Sequence, residues 1–155
     1  MPLKCRLSVP KKRRAYYSGK KHQHSLKVQL MIAAQTHQIL TLRFCQGAKH
    51  DFQLFKDSKL ALDPDDWYVA DSGYQGLKNY HPSVDLPFKK SKHHPLTEVQ
   101  KQHNTALSKF RIRVEHVIRS LKIWRILKET YRNRRKRFTL RVSLIAAIFN
   151  AELDC

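Results

Sequence analysis

Apolar and polar residues alternate in two segments of the first third of the chain. The residues that share one face are Leu26, Val28, Leu30 and Ile32 in the first segment and Leu40, Leu42 and Phe44 in the second. Alternation with a period of two is typical of a strand with one buried face. Because only residues 33–38 separate the two segments, they are predicted to form an antiparallel hairpin.

A helical period replaces this alternation in the second half. Apolar residues recur at steps of three and four from Leu107 to Leu127, which predicts a long amphipathic helix that begins near Thr97. A final apolar helix is predicted over residues 139–153. Earlier in the chain, a shorter helix is predicted to start at Asp51, with that residue as its N-cap.

Residues 67–70 form a short apolar run and are predicted to be a buried strand, which Asp71 follows directly. A carboxylate at the end of a strand faces the crevice where open α/β sheets bind ligands. An Asp-Ser-Gly sequence is also a common turn, so spacing alone leaves both interpretations open.

A short helix is predicted over residues 74–80. The succession of elements predicts an α/β fold with a mixed sheet and flanking helices.

The net charge of the chain indicates which kind of molecule it binds. The 155 residues, the size of one domain, include 31 Lys and Arg against 12 Asp and Glu, a net charge of +19. This excess predicts binding to nucleic acid.

No segment reaches the roughly 18 apolar residues of a membrane span, and no signal peptide is visible. Cys5, Cys45 and Cys155 form no Cys-x-x-Cys pair, so the expected location is the cytoplasm, in association with the nucleoid.

Basic and aromatic residues suited to DNA occur in two parts of the chain. The run at residues 11–14 is either a solvated loop or a phosphate contact, and residues 16–24 add tyrosines able to stack on bases. The candidate DNA-binding residues are Lys11, Lys12, Arg13, Arg14, Tyr17, Lys20, Lys21, Lys27, Arg111, Arg119 and Lys122.

Glu115 is an acid among bases on one face of the long predicted helix. It either forms a surface ion pair with Arg111 or Arg119, or joins Asp71 in a site. Carboxylates that hold a pair of divalent ions support phosphoryl transfer, and Mg²⁺ suits such oxygen ligands.

An ordered set of short segments resembles the catalytic domain of bacterial insertion-sequence DDE transposases. The segments lie at residues 16–27, 50–51, 70–76, 87–90, 111–116, 121–122 and 145–150. The resemblance implies a ribonuclease-H-like fold and Mg²⁺-dependent cleavage and strand transfer on double-stranded DNA. It also implies that Asp71 is the second metal-binding acid and Glu115 the third.

The resemblance fails at the first acid. The family's first Asp lies in an Asp-x-Thr-Glu strand, whereas residues 1–10 contain no acid at all. We therefore expect one N-terminally truncated domain over residues 1–155, atypical over 1–10 and family-like over 11–155. Residues 3–9 either replace the missing first strand or leave the sheet gapped. Such a chain is expected to be inactive alone and to need an upstream-encoded half or a homo-oligomer; the alternative is a non-catalytic, basic nucleic-acid-binding remnant.

Overall fold

A four-stranded antiparallel sheet forms the core of the first third of the protein. The computed structural model describes residues 2–6, 14–19, 22–91, 95–132 and 137–154. The strands of this sheet are β1 (Pro2–Arg6), β2 (Tyr17–Ser18), β3 (Gln23–Ile32) and β4 (Ile39–Gln46). The long strand β3 pairs antiparallel with the other three, which confirms the predicted hairpin of β3 and β4.

The inward face of β4 departs from the predicted alternation. The pairing register shifts between Met31 and Ile32, so that Ile39 lies opposite Ile32. Such an irregularity changes which side chains point to the core. Ile39 is consequently buried, whereas Leu40 is 58% exposed, and its predicted place on the buried face is wrong.

The N-terminal residues complete the sheet at one edge. Strand β1 pairs with β3 so that Leu3 lies opposite Val28, and both Leu3 and Cys5 are buried. Of the two expectations for this region, a strand is therefore present over residues 2–6. Residues 7–9 lie outside the described part of the chain.

The strand before Asp71 belongs to a separate small sheet. Strand β5 (Tyr68–Val69) pairs in parallel with β6 (Val84–Asp85), and a 3₁₀ helix (Ser72–Asn79) follows β5. The prediction of one mixed sheet is therefore wrong for the described residues, in which these two strands do not join β1–β4. Trp67, predicted to be buried, is 48% exposed.

In the described part of the chain, four α-helices pack around the two sheets: α1 (Asp51–Ser58), α2 (Glu98–Leu121), α3 (Arg125–Lys128) and α4 (Phe138–Leu153). The predicted long helix ends at Leu121, and a separate short helix buries Leu127. Thr97 caps α2, since its hydroxyl accepts from Gln100 N while the Gln100 side chain accepts from Thr97 N. None of the helices in the described ranges is long and apolar enough to cross a membrane.

Two hydrophobic cores position these elements. The larger core joins β1, β3 and β4 to α2 and α4, through residues such as Leu3, Val28 and Val142. The smaller core joins α1, the 3₁₀ helix and β6, through Phe55, Leu77 and Val84. The smaller core therefore packs the 3₁₀ helix that follows Asp71 against α1.

Candidate functional site

Asp71 lies at the carboxyl end of β5, as predicted, and begins the 3₁₀ helix. Its carboxylate Oδ1 accepts a hydrogen bond of 2.7 Å from Ser72 N, and Ala70 N donates to Asp85 O at 3.1 Å on the neighbouring strand. Asp71 therefore forms the local turn contact and also presents a half-buried carboxylate at the edge of the small sheet.

Helix α2 brings Arg111 against this carboxylate. Arg111 Nη2 lies 3.4 Å from Asp71 Oδ1, and the two side chains are 31% and 26% exposed. The buried Arg111 Nε has no hydrogen-bond partner among the described residues. The guanidinium is therefore held beside Asp71 chiefly by charge, and it neutralises the acid.

Glu115 lies one helical turn after Arg111 on α2. It is exposed and forms no ion pair within the described residues, so the predicted surface pairs with Arg111 or Arg119 are not formed. Side chains four residues apart on a helix are neighbours, with about 5–6 Å between their Cβ atoms. Arg111 contacts Asp71, and Glu115 lies one turn further along the same helix; the predicted closeness of Glu115 to Asp71 stays a prediction.

Asp51 is a third acid near this site, and the sequence interpretation of it was wrong. The N-cap of α1 is His50, whose Nδ1 accepts from Phe52 N at 3.3 Å, so the carboxylate of Asp51 is not used as the cap. It accepts instead from Lys27 Nζ at 3.0 Å, and Lys27 also donates to Lys49 O. The helix-cap signal at residues 50–51 fits either residue, so sequence alone did not distinguish them.

The Lys27–Asp51 pair lies directly under the Asp71 turn. A Cβ atom on Gly73 would lie 3.5 Å from Asp51 Oδ2. The buried Tyr74 hydroxyl has no hydrogen-bond partner among the described residues. Burial, together with the negative charges of Asp51 and Asp71, raises the pKa of Tyr74. Two acids separated by twenty positions therefore act on one buried tyrosine.

The acidic side chains at this site provide only some of the ligands that a divalent ion needs. No group of three or more His, Cys, Asp or Glu side chains within the described ranges is arranged to hold a metal ion. Asp71 Oδ1 is already engaged by Ser72 and Arg111. Hard cations take oxygen ligands, and a two-ion site needs more carboxylates than Asp71 and Glu115 together provide.

The predicted DNA-binding residues fall into four groups. Those with exposed side chains are Arg14, Tyr17, Arg119 and Lys122, while Arg111 is half-buried against Asp71. Lys27 has a side chain only 8% exposed and is paired with Asp51, so its ammonium is not available to a phosphate group. The predicted contacts outside the described residues are Lys11, Lys12, Arg13, Lys20 and Lys21.

Comparison with known proteins gives one family and one curated relative. The family described as DDE superfamily endonuclease matches residues 3–150. A probable transposase for insertion sequence element IS702 from Microchaete diplosiphon is 46% identical over 145 residues, which cover 93% of this chain. They cover 52% of the relative, so the chain spans about half the length of that protein. No solved structure matches the chain. Since the family match extends over nearly all of the sequence, the chain belongs to the DDE superfamily endonucleases.

Proposed function

We propose that the chain is a catalytic-domain part of an insertion-sequence transposase that binds double-stranded DNA for Mg²⁺-dependent cleavage and strand transfer. The observation that carries the proposal is the contact between α2 and the Asp71 turn. Arg111 lies 3.4 Å from Asp71, and Glu115 follows it by one helical turn. The relative that is described as a probable transposase of an insertion sequence supports the same reaction.

In this proposal Asp71 and Glu115 are the metal ligands. A divalent ion bound there would act as a Lewis acid toward water or a 3′-hydroxyl group and toward the leaving oxygen. Arg111 has a separate role, because it neutralises Asp71 at the position that a cation would occupy. Asp51 and Lys27 hold the turn from beneath.

A further acid is required for a two-ion site. The sequence contains no Asp or Glu before Asp51, and the family pattern implies one acid ahead of the hairpin strands. We propose that another polypeptide segment supplies it, either an upstream-encoded part of the transposase or a second copy of the chain. Without this ligand, these residues bind DNA and do not cut it at a useful rate.

DNA binding follows from charge. Because the net charge is +19, we expect contacts to phosphates that do not depend on the DNA sequence. The slope of log affinity against log salt concentration should be about −0.9 for each phosphate that is contacted. The proposal places the protein with the cytoplasmic DNA of the nucleoid. A second candidate function, a non-catalytic DNA-binding protein, is favoured by the engagement of Asp71 with Arg111.

Nicking of supercoiled plasmid in Mg²⁺ or Mn²⁺ tests the proposal. The chain itself should not nick, whereas a version extended by an Asp-x-Thr-Glu strand should. In the extended version, Asp71→Asn and Glu115→Gln should each lower the rate roughly a thousandfold. Glu98→Gln, on the exposed start of the same helix, is the matched control and should leave the rate unchanged. Equal nicking by the extended protein and its Asp71→Asn variant would overturn the assignment of Asp71.

A further inference from the structure

An exposed basic segment runs between the two elements that carry the candidate acids. Residues 87–90, Pro-Phe-Lys-Lys, follow β6 without regular secondary structure. Phe88 is 43% exposed, and Lys89 and Lys90 are exposed as well. Neither lysine forms an ion pair or hydrogen bond with a described residue. The segment therefore presents two positive charges that have no ion-pair partner among the described residues.

Three hydrogen bonds from side chains fix the backbone of this segment. Gln75 Nε2 donates to Pro87 O at 3.1 Å. The Asn104 side chain accepts from Phe88 N at 2.8 Å and donates to Phe88 O at 3.0 Å. A side-chain amide can bond both the backbone N–H and the backbone C=O of one residue. It then satisfies the same two groups that a neighbouring strand would satisfy. A loop with only a solvated surface does not need such anchoring.

The two anchors connect the segment to both halves of the candidate site. Gln75 belongs to the 3₁₀ helix that begins after Asp71. Asn104 belongs to α2, seven residues and therefore about two helical turns before Arg111. Any movement of the segment relative to Asp71 or α2 would break one of these bonds. The exposed side chains of Lys89 and Lys90 thus extend from a backbone that hydrogen bonds hold to the 3₁₀ helix and to α2.

We propose that residues 87–90 form a DNA-backbone-binding strap, in which Lys89 and Lys90 bind phosphates of the DNA and Asn104 is a positioning residue. This inference rests on the proposed function and adds contacts to it. The ligand is the phosphodiester backbone, because an ammonium is a compact point charge without the planar fork that reads base edges. An anchored backbone lowers the entropy lost when the lysines bind.

The test measures affinity for a duplex oligonucleotide over a series of salt concentrations. The double variant Lys89→Gln/Lys90→Gln should lower the slope of log affinity against log salt by about 2, since each phosphate contact contributes about 0.9. A control of equal charge loss, Lys59→Gln/Lys128→Gln, removes two exposed lysines from the ends of α1 and α3 and should leave the slope unchanged.

Asn104→Ala separates positioning from general stability. It should lower the slope by part of the same amount, and it should cause no further loss in the Lys89→Gln/Lys90→Gln background, because both changes act on one set of contacts. Equal slopes for the lysine double variant and the unmutated protein would overturn the strap. Additive losses would overturn the role of Asn104. Absence of salt-dependent binding by the unmutated protein would instead refute the proposed function itself.

Discussion

Removal of Asp51 is the perturbation with the largest stability effect that the site geometry predicts. Lys27 has a side chain 8% exposed, and its ammonium has two partners, Asp51 Oδ1 at 3.0 Å and Lys49 O. Asp51→Ala would leave a buried positive charge with one carbonyl. Breaking a buried pair in this way costs about 3–5 kcal/mol, and the 23% exposure of Asp51 favours the lower end.

Matched variants measure the contribution of the Lys27–Asp51 pair to stability separately from that of the surrounding residues. Lys27→Met leaves the carboxylate of Asp51 partly in water, so we expect a smaller loss of about 1–2 kcal/mol. The double variant should be more stable than Asp51→Ala alone, because it leaves no buried charge without a partner. The difference between the double variant and the sum of the single variants gives the coupling energy of the pair.

Urea unfolding supplies these free energies, and thermal unfolding checks them. For a domain of this size, a loss of about 3 kcal/mol lowers the Tm by about 6–12 °C. The salt dependence of DNA binding should be the same for Lys27→Met and the unmutated protein. A loss below about 1 kcal/mol in Asp51→Ala, with a salt slope lowered by about 1 in Lys27→Met, would refute the reasoning and make Lys27 a phosphate contact.

Three further predictions concern Arg111, Cys5 and Thr97. Arg111→Met should raise the affinity for Mn²⁺ in a calorimetric titration, because it removes the cation that neutralises Asp71; unchanged affinity would contradict the competition. Burial raises the pKa of the Cys5 thiol to about 11, above its usual 9.0, so the free energy of unfolding should fall as pH rises from 9 to 11, and Cys5→Ala should lessen that fall. Thr97→Ala should lower the free energy of unfolding by about 1 kcal/mol in urea, since the cap on Gln100 N is lost; an unchanged midpoint would contradict the capping role.

Elements with a strong local signal could be predicted from the sequence. The hairpin of β3 and β4 follows from strict alternation and a short connection. The start of α2 follows from Thr97 and Gln100, a capping box that is readable without any tertiary contact. The strand before Asp71 and the helix after it also lie where local pattern put them.

Features set by pairing between distant segments could not be predicted in this way. Strand β1 has only five residues, and its partner β3 lies about twenty positions further along the chain. Leu40 is exposed because the register shifts at Met31, which no side-chain pattern indicates. Lys27 occupies the polar phase of an alternating strand, yet it is buried because Asp51 at the start of α1 supplies its counter-charge.

The candidate site shows the same limit. Asp71 could be placed at a strand end from local sequence, but its contact with Arg111 joins positions forty residues apart. The anchoring of residues 87–90 by Asn104 is likewise a contact between distant segments. The sequence indicated which residue types occur, while their grouping depended on how α2 packs against the small sheet.

Paramagnetic broadening by Mn²⁺ in nuclear magnetic resonance spectra tests the central claim most directly, namely that Asp71 and Glu115 bind one divalent ion. At low Mn²⁺ occupancy, amide signals next to Asp71 and next to Glu115 should broaden together, and Asp71→Asn should abolish the effect at both positions. Glu98→Gln should leave it intact. Broadening at only one of the two acids, or broadening at both that survives Asp71→Asn, would contradict the account.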